Sequence, residues 1–302
     1  MEDFQEIGAI WRGELVRAIK SGRAIALVAL FLMAEALLLT VVGYVTSSAA
    51  AQVGAAAGGG GGTNTEQKKA MLAMFTNNSE ATNDALVHLP WVLLIAFTAT
   101  TLFAPLLIAL MGFDQLAGEI APKSMRYLIV RVRRNSIIIG KWLSQVTLLC
   151  GILVLCVLAM VGTAKGLNDD FRWTDAITWA ARLSVAIMVI GVAYASLTTL
   201  CSTVAGNSAL ALFLNVIVLF AFWFVSLLGN HWRLPDGPPP AGLDLLKGES
   251  PMAFVRYLVP SEFEHHLLSP QPLEYATGLV AYAAFAVIFL GLARVALQDR
   301  DL

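Results

Sequence analysis

The sequence predicts an all-α integral membrane protein, and three observations predict it. Hydrophobic residues make up 58% of the 302-residue chain and charged residues 14%, against about 45–50% and about 25% in soluble domains. Mean hydropathy is +0.72, so too little polar material is present to coat a globule of this size in water. The apolar residues collect in six stretches, each near the ~20 residues that a helix needs to cross a bilayer core. The short alternating segments of an outer-membrane barrel are absent, so helices that satisfy their own backbone are the expected spanning elements.

The six expected spans are Ala24–Val45, Trp91–Met111, Trp142–Gly162, Ile177–Ser202, Ala209–Leu228 and Ala276–Leu297. An even number puts both termini on one side. Arg12, Arg17, Lys20 and Arg23 precede the first span; Lys123, Arg126, Arg131, Arg133, Arg134 and Lys141 join spans two and three; Arg294 and Arg300 lie at the tail. The remaining basic residues are spread over three loops, two of them long. Basic density in short segments marks the cytoplasmic side, so both termini are expected there. A cleaved leader is not expected, because acidic residues precede the first apolar run and that run exceeds a leader's apolar core.

Several function classes fall away. Twenty Lys and Arg against 21 Asp and Glu give a net charge of −1, which carries no electrostatic footprint for nucleic acid. Cys150, Cys156 and Cys201 all fall in apolar runs, with neither a disulfide framework nor metal-ligand spacing. No Gly-x-x-x-x-Gly-Lys-Ser/Thr loop cradles a phosphate, and no metalloprotease or Gly-x-Ser-x-Gly motif supports an intramembrane hydrolase. The chain is therefore expected to be no enzyme.

Outside the spans, residues 4–22 read as an amphipathic helix. Phe4, Ile7, Trp11, Leu15, Ala18 and Ile19 fall in one arc, with Glu6, Arg12, Gly13, Arg17 and Lys20 opposite. Such a helix lies in the membrane interface, or packs on the protein's own cytoplasmic face. Residues 46–89 form a first outer loop, glycine-rich at 58–62, with a short helix expected over Glu66–Phe75. Residues 229–275 form a second, with Pro235 and Pro238–Pro240 opposing regular structure and short helices expected at Ala253–Leu258 and Glu262–Leu268. Glu262, Glu264, His265 and His266 read better as polar residues at the membrane edge than as metal ligands, since no second cluster completes a site. Glu35 sits 11 residues into the first span, about 16 Å deep. An acid there faces a translocation path or a subunit interface, or is protonated within one subunit. Pro105 is expected to free a carbonyl in span two, Asn207 to sit in a turn, and Arg182 to snorkel outward.

The connection over residues 113–141 is the most informative. In order it carries Asp114, Ala117-Gly118-Glu119, Ser124, Arg126-Tyr127-Leu128, Arg131, Arg134 and Gly140-Lys141. This order resembles the cytoplasmic loop of type-2 ABC transporter permeases, with Lys123-Ser124 and Arg131-Val132 where the family often has Gly-Thr and Arg-Pro. The resemblance extends over the amphipathic N-terminal helix, the Val259–Pro270 segment with its Pro-Ser-Glu-Phe-Glu-His stretch, and the closing Gln298–Leu302. The tail is similar to permeases linked to copper-enzyme maturation and gliding motility. The resemblance implies that this loop, through Asp114, Ala117, Gly118, Glu119, Ser124, Arg126, Tyr127, Arg131 and Arg134, couples to a separate ABC ATPase subunit that binds ATP and Mg. It implies a second permease copy or paralogue, no cofactor in this chain, and export of an amphipathic or lipid-like substrate. The alternative is a mechanotransmitter that uses the same coupling to act on extracytoplasmic partner proteins.

Overall fold

The computed structural model describes residues 2–20, 91–120, 132–167, 173–231 and 251–298, with scattered positions at 22–40, 86 and 125–130. Nearly everything described is helix, turn or bend, with no strand among these residues. In chain order the helices are α1 (Glu2–Lys20), α2 (Trp91–Gly112), α3 (Ala117–Ile120), α4 (Arg134–Leu167), α5 (Trp173–Val204) and α6 (Ser208–His231). Two 3₁₀ turns follow at Pro251–Leu258 and Pro260–Phe263, then α7 (Glu264–Leu268) and α8 (Pro272–Gln298). Five helices among the described residues are long and apolar enough to cross a membrane. Spans two to six are each found within one of them. The first span, Ala24–Val45, lies largely outside the described residues, although its described positions are helical. The loop over 46–89 (Leu86 apart), the prolines at 235–240, Glu35, Ser124, Arg126 and Arg131 also lie outside them.

The core is built on α5. Ala186, Ile190, Ala193, Tyr194, Leu197 and Cys201 are buried against Leu149 and Leu153 of α4 and Tyr282, Ala286 and Phe289 of α8. Small residues let these backbones approach, as packing between helices in lipid requires. A Cβ on Gly191 would lie 2.3 Å from Leu149 Cδ2. The hydroxyls of Thr199 and Thr203 donate to the carbonyls of Ala195 (2.9 Å) and Thr199 (2.7 Å), so polar residues on a buried face remain satisfied. By contrast α6 is lightly covered and turns Phe213, Phe220, Trp223 and Phe224 outward.

Chain direction defines two ends of the bundle. At one end gather α1, α3, the start of α4, the end of α5 and the end of α8. α4 starts at Arg134, so it includes the last eight residues of the connection read from sequence. Arg134 Nη1 donates to the carbonyls of Leu297 and Gln298, both at 2.9 Å. A guanidinium there satisfies carbonyls that have no partner within the helix and complements the α8 dipole. Asn207 Oδ1 accepts from Leu210 N–H (2.8 Å) and so holds the first turn of α6.

At the opposite end the chain turns back into the bundle. Gly229 of α6 abuts Arg256, and a Cβ there would lie 2.6 Å from Arg256 Cβ and 3.2 Å from its Cα and N. Because backbone cannot yield, Gly229→Val should cost about 1–3 kcal/mol, read as a lowered unfolding midpoint in detergent. Arg256, 2% exposed, bridges to Glu262 at 3.3 Å and donates to Tyr257 Oη at 2.7 Å. The chain then descends. The Phe263 ring lies 6.1 Å from that of Phe285, which is thirteen residues into α8 and so roughly 20 Å from its end. Leu267 fills the space at Gly278, where a Cβ would meet its Cδ2 at 2.8 Å. Residues read from sequence as polar groups at the membrane edge are thus folded inward, because Phe263, Leu267 and Leu268 bury their apolar surface between α5 and α8. Arg182, nine residues into α5, reaches toward the end of the bundle where α8 begins. Its guanidinium donates to the Ser269 carbonyl and lies 4.5 Å over the Tyr275 ring.

Candidate coupling site

The connection between α2 and α4 is held from behind by three elements. After Gly112 the chain leaves α2 through a turn, with Gln115 N–H on Gly112 O (3.1 Å) and Gly118 N–H on Asp114 O (2.9 Å). The one-turn helix α3 then begins beside the end of α5. Ser202 Oγ accepts from the N–H groups of Leu116 and Ala117, each at 3.0 Å, and donates to Phe113 O at 2.9 Å. A hydroxyl has two acceptor lone pairs and one donor, and all are engaged. Ser202 is fully buried, so this one side chain satisfies N–H groups at a helix start that has no turn before it to supply partners. Gln115 Nε2 donates to Lys141 O at 2.6 Å, tying the same turn to α4.

The second attachment is ionic. Lys141 Nζ lies 2.9 Å from Glu119 Oε1 of α3 and 2.9 Å from Glu14 Oε1 of α1. Its side chain is 2% exposed, while Glu14 and Glu119 are 18% and 22% exposed. Arg17 Nη1 closes the group at 3.2 Å from Glu14 and 3.3 Å from Glu119, but is 68% exposed and contributes little. A buried ammonium is tolerated only when paired, and here its two counter-charges come from two different helices. Glu119, read from the sequence as a contact for an outside partner, directs Oε1 inward at Lys141.

The third attachment is α1 itself. Gly140 removes the side chain where α1 crosses α4: a Cβ there would lie 2.9 Å from Ile10 Cβ and 3.2 Å from Ile7 O. Trp11 Nε1 donates to Thr147 Oγ1 (3.0 Å), and Arg133 N–H reaches Glu6 Oε2 (3.4 Å). The amphipathic helix expected at 4–22 is thus present as Glu2–Lys20 and docks Ile7, Ile10 and Trp11 on α4, while Phe4 and Ile19 of the expected arc stay exposed. Glu14 and Ser202 carried no functional signal in the sequence, and Lys141 stood only in the basic cluster and in the Gly140-Lys141 pair that closes the family-like pattern.

The front of the connection differs. Ala117 is buried and Gly118 exposed, with Ser208 Oγ 3.6 Å from where a Gly118 Cβ would stand. Beyond α3, Met125 is buried with Leu116 and Ile137, while Tyr127 is 82% and Val130 87% exposed. An anchored turn followed by outward aromatic and aliphatic side chains is a surface backed by the ends of α4 and α5. Asp114, Ala117, Gly118, Glu119, Tyr127 and Arg134 are all at this end of the bundle.

Residues 9–302 match the family model for ABC-2 family transporter proteins. No curated protein matches the chain. The match runs through the anchored turn and all five described spans, and the chain belongs to the ABC-2 transporter family.

Proposed function

We propose that this chain is the permease subunit of an ATP-driven exporter, and that the turn centred on α3 receives the push of a separate ABC ATPase. Membership of the family supports a membrane permease that works with such a subunit. The observation that carries the coupling reading is the contrast across the connection: Ser202 and Lys141 fix its back to α4 and α5, while Tyr127 and Val130 project from its front. Force applied to a loosely held loop would be lost in bending. Force applied here passes into two spans and α1.

Asp114, Ala117, Gly118, Glu119, Ser124, Arg126, Tyr127, Arg131 and Arg134 are the proposed coupling residues, with Glu119 acting by holding α3 on Lys141. The end bearing α1 and α3 is proposed to be cytoplasmic, in a bacterial inner membrane, with α1 along the interface. Two six-span chains, this one with a copy or a paralogue, would form the pathway, and the aromatic face of α6 is apolar enough to meet lipid or that second chain. Glu35 is proposed to line the path.

The test is assembly with the cognate ATPase. Tyr127→Ala with Val130→Ala should weaken association about tenfold, the loss of a modest aromatic anchor. The melting of the permease alone should be unchanged, because both side chains are exposed. Unaltered association, measured by titrating labelled ATPase onto the permease in nanodiscs, would remove the docking surface from this turn.

A further inference from the structure

The span that feeds the coupling turn is broken in its own hydrogen-bond ladder. α2 runs from Trp91 to Gly112 through Pro105. Proline has no N–H to give to the carbonyl four residues earlier, here that of Thr101, so one rung of the helix is missing and bending costs least at this level. Above the break, Thr100 and Thr101 are buried in the bundle. Below it, the residues from Leu106 to Gly112 form an arm about 10 Å long that leads directly into the turn before α3.

The lower end of this arm is fixed to α4. Gly112 packs on Gln145 so closely that a Cβ on the glycine would stand 2.3 Å from Gln145 Nε2. Gln145 is 2% exposed, and its Nε2 donates to Ile108 O at 3.3 Å. One turn earlier on α4, Lys141 O accepts from Gln115 Nε2. The arm and the start of α4 are thus joined by side-chain amides at two successive levels. Between this joint and Pro105 the two helices do not close on each other. Ala104, Leu107 and Met111 of α2 face Leu149, Ile152 and Leu153 of α4 across an apolar cavity of about 20 Å³. Protein interiors are packed to crystal density, so a void beside a helix break is where a change of angle meets least resistance. Its walls are apolar, so sliding there breaks no hydrogen bond.

We infer that Pro105–Gly112 is a lever: it bends at Pro105, travels with the start of α4 through Gln145, and changes the width of the cavity as it moves. This rests on the reading of α3 as the turn that receives the push of an ATPase, and it adds the element that converts the push into a change of angle within a span. A lever needs a break, a joint and free space in one line, and α2 carries all three between Ala104 and Gly112. A proline that merely shaped the helix would need neither the joint nor the space.

The test stiffens the lever in two independent ways. Pro105→Ala restores the missing rung, and Ala104→Val puts two more carbons into the cavity; neither residue lies in the coupling turn. Permease and ATPase are reconstituted in nanodiscs, ATP hydrolysis is measured per bound ATPase, and the unfolding midpoint of the permease alone is measured beside it. Each variant should hold or raise the midpoint and bind the ATPase as the parent does. Each should nevertheless hydrolyse ATP about tenfold more slowly, a barrier raised by about 1.4 kcal/mol. Greater stability with lower turnover is the mark of a stiffened moving part. Parent-like hydrolysis in either variant that folds would overturn the lever. So would slower hydrolysis that comes only with a lowered midpoint or a lost ATPase in both, since the proline and the cavity would then serve the fold alone. If the parent permease binds and supports the ATPase while the variants match it, only the lever falls; if the parent does not bind it, the docking reading falls and the lever with it.

Discussion

Lys141→Met should lower the stability of the permease by about 3 kcal/mol. Breaking a buried ion pair by removing one partner typically costs about 3–5 kcal/mol, and the low end applies because both carboxylates keep some solvent. The substitution matches the stem in volume but leaves Glu14 and Glu119 facing each other, without the ammonium that lay 2.9 Å from both. Arg17 is too exposed to replace it. Two attachments fail together, so the loss should be visible as faster proteolysis within α1 as well as a lower unfolding midpoint. Adding Glu14→Gln to Lys141→Met should recover part of the loss, since one of the unpaired charges is removed. No recovery in that double variant, or a midpoint equal to the parent's, would mean that Lys141 is not the hub of the junction. In the assembled transporter the same variant should hydrolyse ATP with reduced transport, since α3 would no longer pass its load to α4.

Ser202→Ala should cost about 2–4 kcal/mol although it removes a single oxygen. Two backbone N–H groups and one carbonyl lose their partner in a fully buried setting, and each such orphan costs about 1–3 kcal/mol before local relaxation. Ser202→Thr is the informative companion. It restores the hydroxyl but adds a methyl to a fully buried site, so it should lose less than the alanine variant. Hydrogen exchange gives the local readout: the amides of Leu116 and Ala117 should lose protection in Ser202→Ala while those in the middle of α5 do not. If Leu116 and Ala117 stay protected, water has replaced the hydroxyl and α3 does not depend on α5.

Both effects arise from contacts far apart in the chain. Lys141 and Glu14 are 127 residues apart, and Ser202 lies 86 residues from Leu116. The sequence alone determined what depends on local composition. Runs of about 20 apolar residues can only be helices in lipid, whatever they pack against. Hence spans two to six are where their hydropathy put them, and the amphipathic arc Phe4–Ile19 is one helix. The Asp114–Lys141 pattern was likewise legible, because a charged segment between two spans must leave the membrane.

Only the tertiary structure decided which faces meet. Lys141 read as one of six basic residues that fix topology, and it became the buried member of the group because α1 and α3 each bring an acid to the same turn of α4. Ser202 read as the polar end of an apolar run, and its hydroxyl matters because α3 begins beside it. Glu262–His266 read as a polar edge, yet the apolar side chains around it carry the segment inward, with Glu262 paired to Arg256 and Leu267 and Leu268 buried against α5 and α8. Hydropathy along the chain measures how strongly a residue prefers lipid to water. It does not contain the distance between two helices, and in a bundle of uniformly apolar spans the few polar groups acquire their roles from that distance.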